Sequence, residues 1–238
     1  MQHLDTFTSA PHSVALVIGA SRGIGAAVAA RFSSLNYTVV GTHRGTGVPA
    51  GITGVEVDVT DLEAVTRTVE EVAAAHGRLD TLVFAAGITR DAPLLRMPLE
   101  AMEAVLRVNT LAPMVASKAA LRPMLRQRSG SIVLLSSMSV KYGVAGQSNY
   151  VTSKSAVEGF VRSFAREYGP RHIRINAVAP GGTDTQMVAD ISDEARKKMI
   201  GDTPFGRLAS AEEIADAIVS VSELTYMSGS VVPVSGGA

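Results

Sequence analysis

From Ser13 onward, short runs of apolar and β-branched residues alternate with longer segments whose apolar positions recur at helical spacing. Runs such as Val14-Ala-Leu-Val-Ile18 and Ser131-Ile-Val-Leu-Leu135 show no polar face. That is expected of strands buried on both sides, in a parallel sheet covered by helices. The pattern predicts seven strands, at 14–18, 38–41, 54–57, 81–85, 131–135, 173–179 and 230–234. Between them it predicts helices near 24–35, 61–76, 99–126, 149–168 and 211–221. The expected fold class is α/β, with one doubly wound, seven-stranded parallel sheet flanked by helices. Residues 13–238 are expected to form a single domain, preceded by a flexible leader over 1–12.

Local signals refine the helices. Asp61 is placed to cap its helix, with Glu63 adding negative charge to the first turn. Pro113 falls inside the long segment 99–126, where its missing N–H should bend the axis just beyond Asn109. The loops after the carboxyl ends of the strands, at 19–25, 86–97, 136–148 and 180–203, lie on the edge of an open α/β sheet that receives ligands. Segment 185–203 is expected to act as a lid over substrate.

Composition narrows the possibilities. With 46% hydrophobic and 18% charged residues, the chain has the balance of a soluble enzyme, and no apolar run reaches the length of a membrane span. Residues 1–12 lack the basic start and apolar stretch of a secretory signal, so the expected location is cytoplasmic. There is no cysteine, which removes disulfides, thiol catalysis and cysteine-bound zinc. The five histidines are far apart, so no metal site is expected. Twenty-two basic residues balance 22 acidic ones, leaving no global field for nucleic acid.

The predicted first strand runs into Gly19-x-x-x-Gly23-x-Gly25 and then an alanine-rich helix. Such glycines let backbone N–H groups and a helix N-terminus approach a pyrophosphate. The second strand ends in Gly41-Thr-His-Arg44, without the carboxylate that would bond a free ribose 2′-hydroxyl. Arg44, together with Arg22, instead offers guanidinium forks to a 2′-phosphate, and the expected cofactor is NADPH. Asp58 lies where a side chain would reach an adenine amine, although a polar turn at the strand end explains it nearly as well.

Tyr150 is followed four residues later by Lys154 and preceded by Ser137. A phenol with a pKa near about 10 is a poor acid or base at neutral pH until a nearby cation favours its phenolate. Lys154, one helical turn on, is expected to supply that charge. It is also expected to hold the nicotinamide ribose. Ser137 can donate to a substrate oxygen. Asn109 is expected to position a water linking Lys154 to solvent.

Through Gly19-x-x-x-Gly23-x-Gly25, Asn109, Ser137, Tyr150-x-x-x-Lys154 and Pro180-Gly181, the chain resembles the short-chain dehydrogenase/reductase family, whose fold is of the Rossmann type. Within that family, Ala86-Gly-Ile-Thr-Arg-Asp91, Gln147-Ser-Asn-Tyr150 and Val178-Ala-Pro-Gly181 are similar to 3-oxoacyl-[acyl-carrier-protein] reductases, and Thr42-His-Arg44 to their NADPH-dependent mycobacterial members. The resemblance implies a catalytic tetrad of Asn109, Ser137, Tyr150 and Lys154. It implies a cofactor site made by Gly19, Ser21, Arg22, Gly23, Ile24, Gly25, Arg44, Asp58, Val59, Ala86, Gly87, Tyr150, Lys154, Pro180, Gly181, Thr183 and Thr185. The implied reaction is NADPH-dependent reduction of a 3-oxoacyl thioester, carried on an acyl carrier protein, in fatty acid or polyketide biosynthesis.

The family usually carries Asn-Asn-Ala-Gly where this chain has Phe84-Ala-Ala-Gly87. Arg128 and Arg171, with Arg126, match positions implied in docking an acidic carrier, but they equally suit helix C-termini. Met138, Tyr142, Val144, Gln147, Met187 and Val188 fall in loops expected to flank the carbonyl site and accept an acyl chain. The resemblance also implies a homotetramer built on the helices over 99–126 and 149–168. Two other readings stay open: a reductase of small ketones, sugars or steroids, and a non-catalytic NADPH-binding partner subunit.

Overall fold

The short apolar runs form strands β1 (Val14–Ile18), β2 (Thr38–His43), β3 (Thr53–Glu56), β4 (Thr81–Phe84), β5 (Gly130–Leu135), β6 (Ile173–Pro180) and β7 (Val231–Val234). In this computed structural model, which describes residues 13–189 and 192–238 and only the backbone of Met187 and Ala189, they build one sheet. The order is β3-β2-β1-β4-β5-β6-β7, and every pairing is parallel. The expected leader over 1–12 lies outside the described residues.

Helices α1 (Gly23–Ser34), α2 (Leu62–His76), α3 (Leu99–Leu106), α4 (Ala112–Gln127), α5 (Ser139–Tyr142), α6 (Ser148–Tyr168), α7 (Gln186–Ala189), α8 (Asp193–Gly201) and α9 (Ala211–Glu223) complete the described elements. Strand alternation divides the core between the two sheet faces. Val14, Leu16 and Ile18 of β1 pack with α2, α4 and α6, while Ala15 and Val17 pack with α1 and α9. Fully burying a side chain such as Leu16 or Ile132 contributes about 2 kcal/mol. The direction of strand order changes between β1 and β4, which places the sheet's switch point at the glycine loop.

Asp61 caps α2 as expected, accepting from the Glu63 and Ala64 N–H groups at 3.0 Å each. Strand ends differ from the expected ones by one or two residues: β2 continues through His43, and β3 begins at Thr53 and stops at Glu56. The loop expected over 136–148 contains α5, and that over 180–203 contains α7 and α8.

The helix predicted over 99–126 is instead broken into α3 and α4 by a wide π-helical turn over Arg107–Leu111. The irregularity contains Asn109 and precedes Pro113. That proline sits in the first turn of α4, where a missing N–H costs little. Pro123, by contrast, is accommodated inside α4 and buried.

Candidate active site

β1 ends at Gly19, whose φ of 89° only glycine adopts without strain. Its N–H donates to the Thr42 hydroxyl at 3.0 Å, and the Ala20 N–H donates to the Thr42 carbonyl at 2.8 Å. Thr42, 1% exposed, thus ties the turn to the end of β2 and fixes where Arg44 emerges. A Cβ on Gly19 would lie 2.7 Å from the backbone of Ala86, and one on Gly25 would run into the carbonyl of Gly19. Gly23 faces the Thr185 side chain. No side chain caps α1 and no acid occupies its first turn, so its N-terminal N–H groups remain available to an anion. Close backbone approach and a bare helix start fit the pyrophosphate of a dinucleotide.

Other expected cofactor residues border this cradle. Arg22 and Arg44 are exposed, while Ser21, Ile24 and Val59 are half-buried. Asp58 accepts the Thr60 N–H at 2.9 Å. Its carboxyl is held below its usual value chiefly by Thr60, with Arg44 adding to the effect. The polar-turn explanation of Asp58 is therefore realised, and Arg44 lies close enough to be felt. Beyond β6, Gly181 donates to the Val234 carbonyl at 2.9 Å, and buried Thr183 bonds the Gly181 carbonyl at 3.1 Å. Pro180 closes β6.

Lys154 and Asn109 meet at Gly87, and Lys154 links that point to Tyr150. A Cβ on Gly87 would lie 3.4 Å from Asn109 Oδ1 and 3.7 Å from Lys154 Nζ. Lys154, 5% exposed, donates to the Leu135 carbonyl at 2.8 Å, and its Nζ lies 5.7 Å from the centre of the Tyr150 ring. Burial lowers its pKa to about 8.

Tyr150 corrects one expectation. Its pKa is raised, chiefly by burial, with Asp91 pushing the same way and a hydrogen bond from Ser137 opposing; Lys154 is not among the causes. The ammonium donates one of its three protons to a carbonyl, and the phenol keeps its proton at neutral pH.

Asn109 is held by its side chain between two elements. Its Oδ1 accepts the Ile88 N–H at 3.0 Å, while Nδ2 donates to the Ile88 carbonyl at 2.9 Å and to Ser153 Oγ at 3.1 Å. Both amide hydrogens are committed within the protein, so the side chain works as a clamp between the β4 loop and α6. Ser153, which the sequence did not single out, continues the link by donating to the Tyr150 carbonyl at 2.7 Å.

Two loops close against each other beside Tyr150. Gln147 Nε2 donates to Asp91 at 2.7 Å, Ala92 N–H to the Gly146 carbonyl at 2.9 Å, and Asn149 Nδ2 to the Arg90 carbonyl at 2.9 Å. Phe84 is 2% exposed and packs in the core with α2, α4 and α6, and the N–H groups of Ala85 and Ala86 both donate to the Ile18 carbonyl. Backbone pairing therefore joins β1 to the β4 end where the family has paired asparagines.

Of the residues expected to meet substrate or carrier, Met138 is buried and Gln147 half-buried at the site, and the Met187 side chain lies outside the described residues. Arg126, Arg128 and Arg171 are exposed at the ends of α4 and of the turn before β6. A cavity of about 880 Å³ opens on Ser137, bounded by Val140, Glu158, Phe205 and Pro233. Of the described side chains expected to hold an acyl chain, Met138 lines it and Tyr142, Val144, Gln147 and Val188 do not. Among the described residues there is no cluster of three metal-ligating side chains and no helix long and apolar enough to cross a membrane.

Thr42 and Ser153 escaped the sequence because their importance depends on neighbours in space. The register Val17↔Gly41 puts Thr42 beside the glycine turn, and only the pairing of β1 with β2 reveals it.

Comparison with known proteins agrees with this arrangement. A family model described as enoyl-(acyl carrier protein) reductase matches residues 19–238. The 3-oxoacyl-[acyl-carrier-protein] reductase MabA of Mycobacterium tuberculosis (strain ATCC 25618 / H37Rv) is 37% identical over 224 residues, which cover 93% of this chain and 91% of that protein. The 3-oxoacyl-[acyl-carrier-protein] reductases FabG of Vibrio harveyi and Escherichia coli (strain K12) are 38% and 36% identical, each covering 94% of this chain and 96% of its own length.

Proposed function

The chain belongs to the short-chain dehydrogenase/reductase family, and from that premise we propose that it reduces a 3-oxoacyl thioester, presented by an acyl carrier protein, to the 3-hydroxyacyl thioester. The observation that carries the reading is a buried Lys154 set between Gly87 and the ring of a protonated Tyr150, on which Ser137 acts, in a chain that also holds a glycine cradle. Relatives named for this activity are 36–38% identical to this chain over more than nine-tenths of its length.

When bound, the nicotinamide supplies hydride to C3 of the acyl group. Ser137 and Tyr150 hold the C3 oxygen, and Tyr150 gives it a proton as negative charge develops there. A phenol whose pKa burial has raised is protonated at neutral pH, the form from which a proton can pass to the substrate oxygen. Lys154 holds the ribose hydroxyls and returns a proton toward Tyr150; a pKa of about 8 keeps it charged at neutral pH. Gly19, Gly23 and Gly25 would hold the pyrophosphate against the start of α1.

NADPH is the proposed form of the cofactor. No acid stands at the end of β2, and Arg44 and Arg22 are exposed beside the glycine turn. An arginine lost from a phosphate contact typically costs about 2 kcal/mol. Arg44→Ala should therefore weaken NADPH about thirty-fold and leave NADH nearly unchanged; equal losses would remove the assignment.

The exposed apolar side chains Leu99, Leu106, Leu111 and Met114, running along α3 and into α4, support assembly into a homotetramer. Light scattering that gave a monomer would end that proposal. Exposed Arg128 and Arg171 support docking of an acidic carrier. Their charge reversal should impair turnover of the carrier-bound substrate and spare a small thioester.

The deciding assay follows nicotinamide absorbance with acetoacetyl-acyl carrier protein, crotonyl-acyl carrier protein and free ketones, each with NADPH and with NADH. Reduction of the acetoacetyl substrate, lost in Tyr150→Phe, is expected. Turnover of the crotonyl substrate alone would instead favour double-bond reduction, which the description of the matching family model names.

A further inference from the structure

Nothing in the sequence pattern singles out Ser139, the first residue of α5. In the structure it donates twice to a single atom: its backbone N–H reaches Ser137 Oγ at 3.2 Å, and its hydroxyl reaches the same oxygen at 2.8 Å. A serine hydroxyl has two acceptor lone pairs and one proton. With both lone pairs engaged by Ser139, the capacity left to Ser137 is donation through its own O–H.

The surrounding backbone holds that arrangement in place. Ser136 N–H bonds the Val178 carbonyl at 2.8 Å and Met138 N–H bonds the Pro180 carbonyl at 3.0 Å, pinning both sides of Ser137 to β6. Ser136 is fixed again by its hydroxyl, which donates to Glu158 at 2.7 Å. Ser137 lies close enough to Tyr150 to oppose the rise in its pKa. Donors in a chain polarise one another, so a hydroxyl that accepts twice is the stronger donor.

We propose that Ser139 is a positioning residue for the reduction, making Ser137 a committed donor whose one proton is offered to the substrate oxygen when that is bound and to the Tyr150 hydroxyl otherwise. The inference rests on the ketoreductase reading of the site. In the step itself the substrate carbon gains hydride and its oxygen gains the Tyr150 proton, while Ser137 and Ser139 keep theirs. Their part is to hold a donor in place, and to favour the phenolate that Tyr150 becomes.

Ser139→Ala removes the hydroxyl and keeps the backbone donor, whereas Ser139→Thr keeps both. In Ser139→Ala we expect kcat about three- to ten-fold lower with KM nearly unchanged, the range of one neutral hydrogen bond. Tyr150 ionisation, read as the tyrosinate absorbance difference from Tyr150→Phe, should move to higher pH. Ser139→Thr should restore both, and all variants should share the wild-type thermal midpoint. An unchanged rate and titration in Ser139→Ala, or a defect that Ser139→Thr leaves uncorrected, overturns the proposal. If the wild type reduced no 3-oxoacyl thioester, the ketoreductase reading would fail first, and the tyrosinate titration would still decide whether the three hydroxyls are linked.

Discussion

Lys154 and Leu135 are joined by a 2.8 Å hydrogen bond from the buried Nζ to the carbonyl that ends β5. The bond satisfies one proton of an ammonium taken out of water. Burial still disfavours the charge, lowering the pKa to about 8. Lys154 is therefore charged below that value and neutral above it. With Tyr150 ionising higher, kcat/KM for acyl reduction should be flat from about pH 6 to 8 and fall about ten-fold per unit beyond, a limb set by Lys154. A limb that persisted unchanged in Lys154→Arg would assign it to another group.

Asp91 is one of the groups that raise the Tyr150 pKa, and it is latched to Gln147 at 2.7 Å. Asp91→Asn keeps an acceptor for Gln147 while removing the negative charge. Tyr150 should then ionise at lower pH, as a tyrosinate titration would detect. Because Asp91 is exposed, the shift should shrink as salt is added.

Asn109 satisfies two backbone groups of Ile88 and the Ser153 hydroxyl from a position 1% exposed. Asn109→Ala leaves buried polar groups without partners, which costs about 3 kcal/mol in the unfolding free energy. Denaturant titration should show that loss, along with greater protease sensitivity in the loop after β4.

Gly25 packs against the Gly19 carbonyl, and an added Cβ would also meet the Ala85 side chain at 3.2 Å. Gly25→Ala should spread β1 from α1 and spoil the pyrophosphate cradle. NADPH affinity should fall at least about ten-fold by fluorescence titration while far-ultraviolet circular dichroism keeps its shape. Unchanged affinity would remove the glycine loop from the cofactor site.

Sequence pattern located the central strands β1, β4 and β5 because each is a short run buried on both faces, while the edge strands β3 and β7, only partly covered, were found from their short apolar runs and place in the alternation. It located the glycine turn because φ near 89° at Gly19 has a residue requirement. It found Tyr150 and Lys154 because a four-residue spacing on one helix is a local fact. The break at Arg107–Leu111 was less legible: the proline was visible, but the wide turn before it carries Thr110, which bonds the Ser153 carbonyl across to α6, a contact no local pattern shows.

What the sequence alone determined is therefore the list of elements, the cradle and the identity of the reacting side chains, all fixed by short-range periodicity and backbone sterics. Tertiary structure alone decided their chemistry: that buried Lys154 donates to Leu135, that Tyr150 retains its proton, that Asn109 clamps Ile88, and that Ser139 orients Ser137. The acidity of a group is set by burial and by partners brought in from other elements. Only the packed sheet, with its strands in register, brings those partners together.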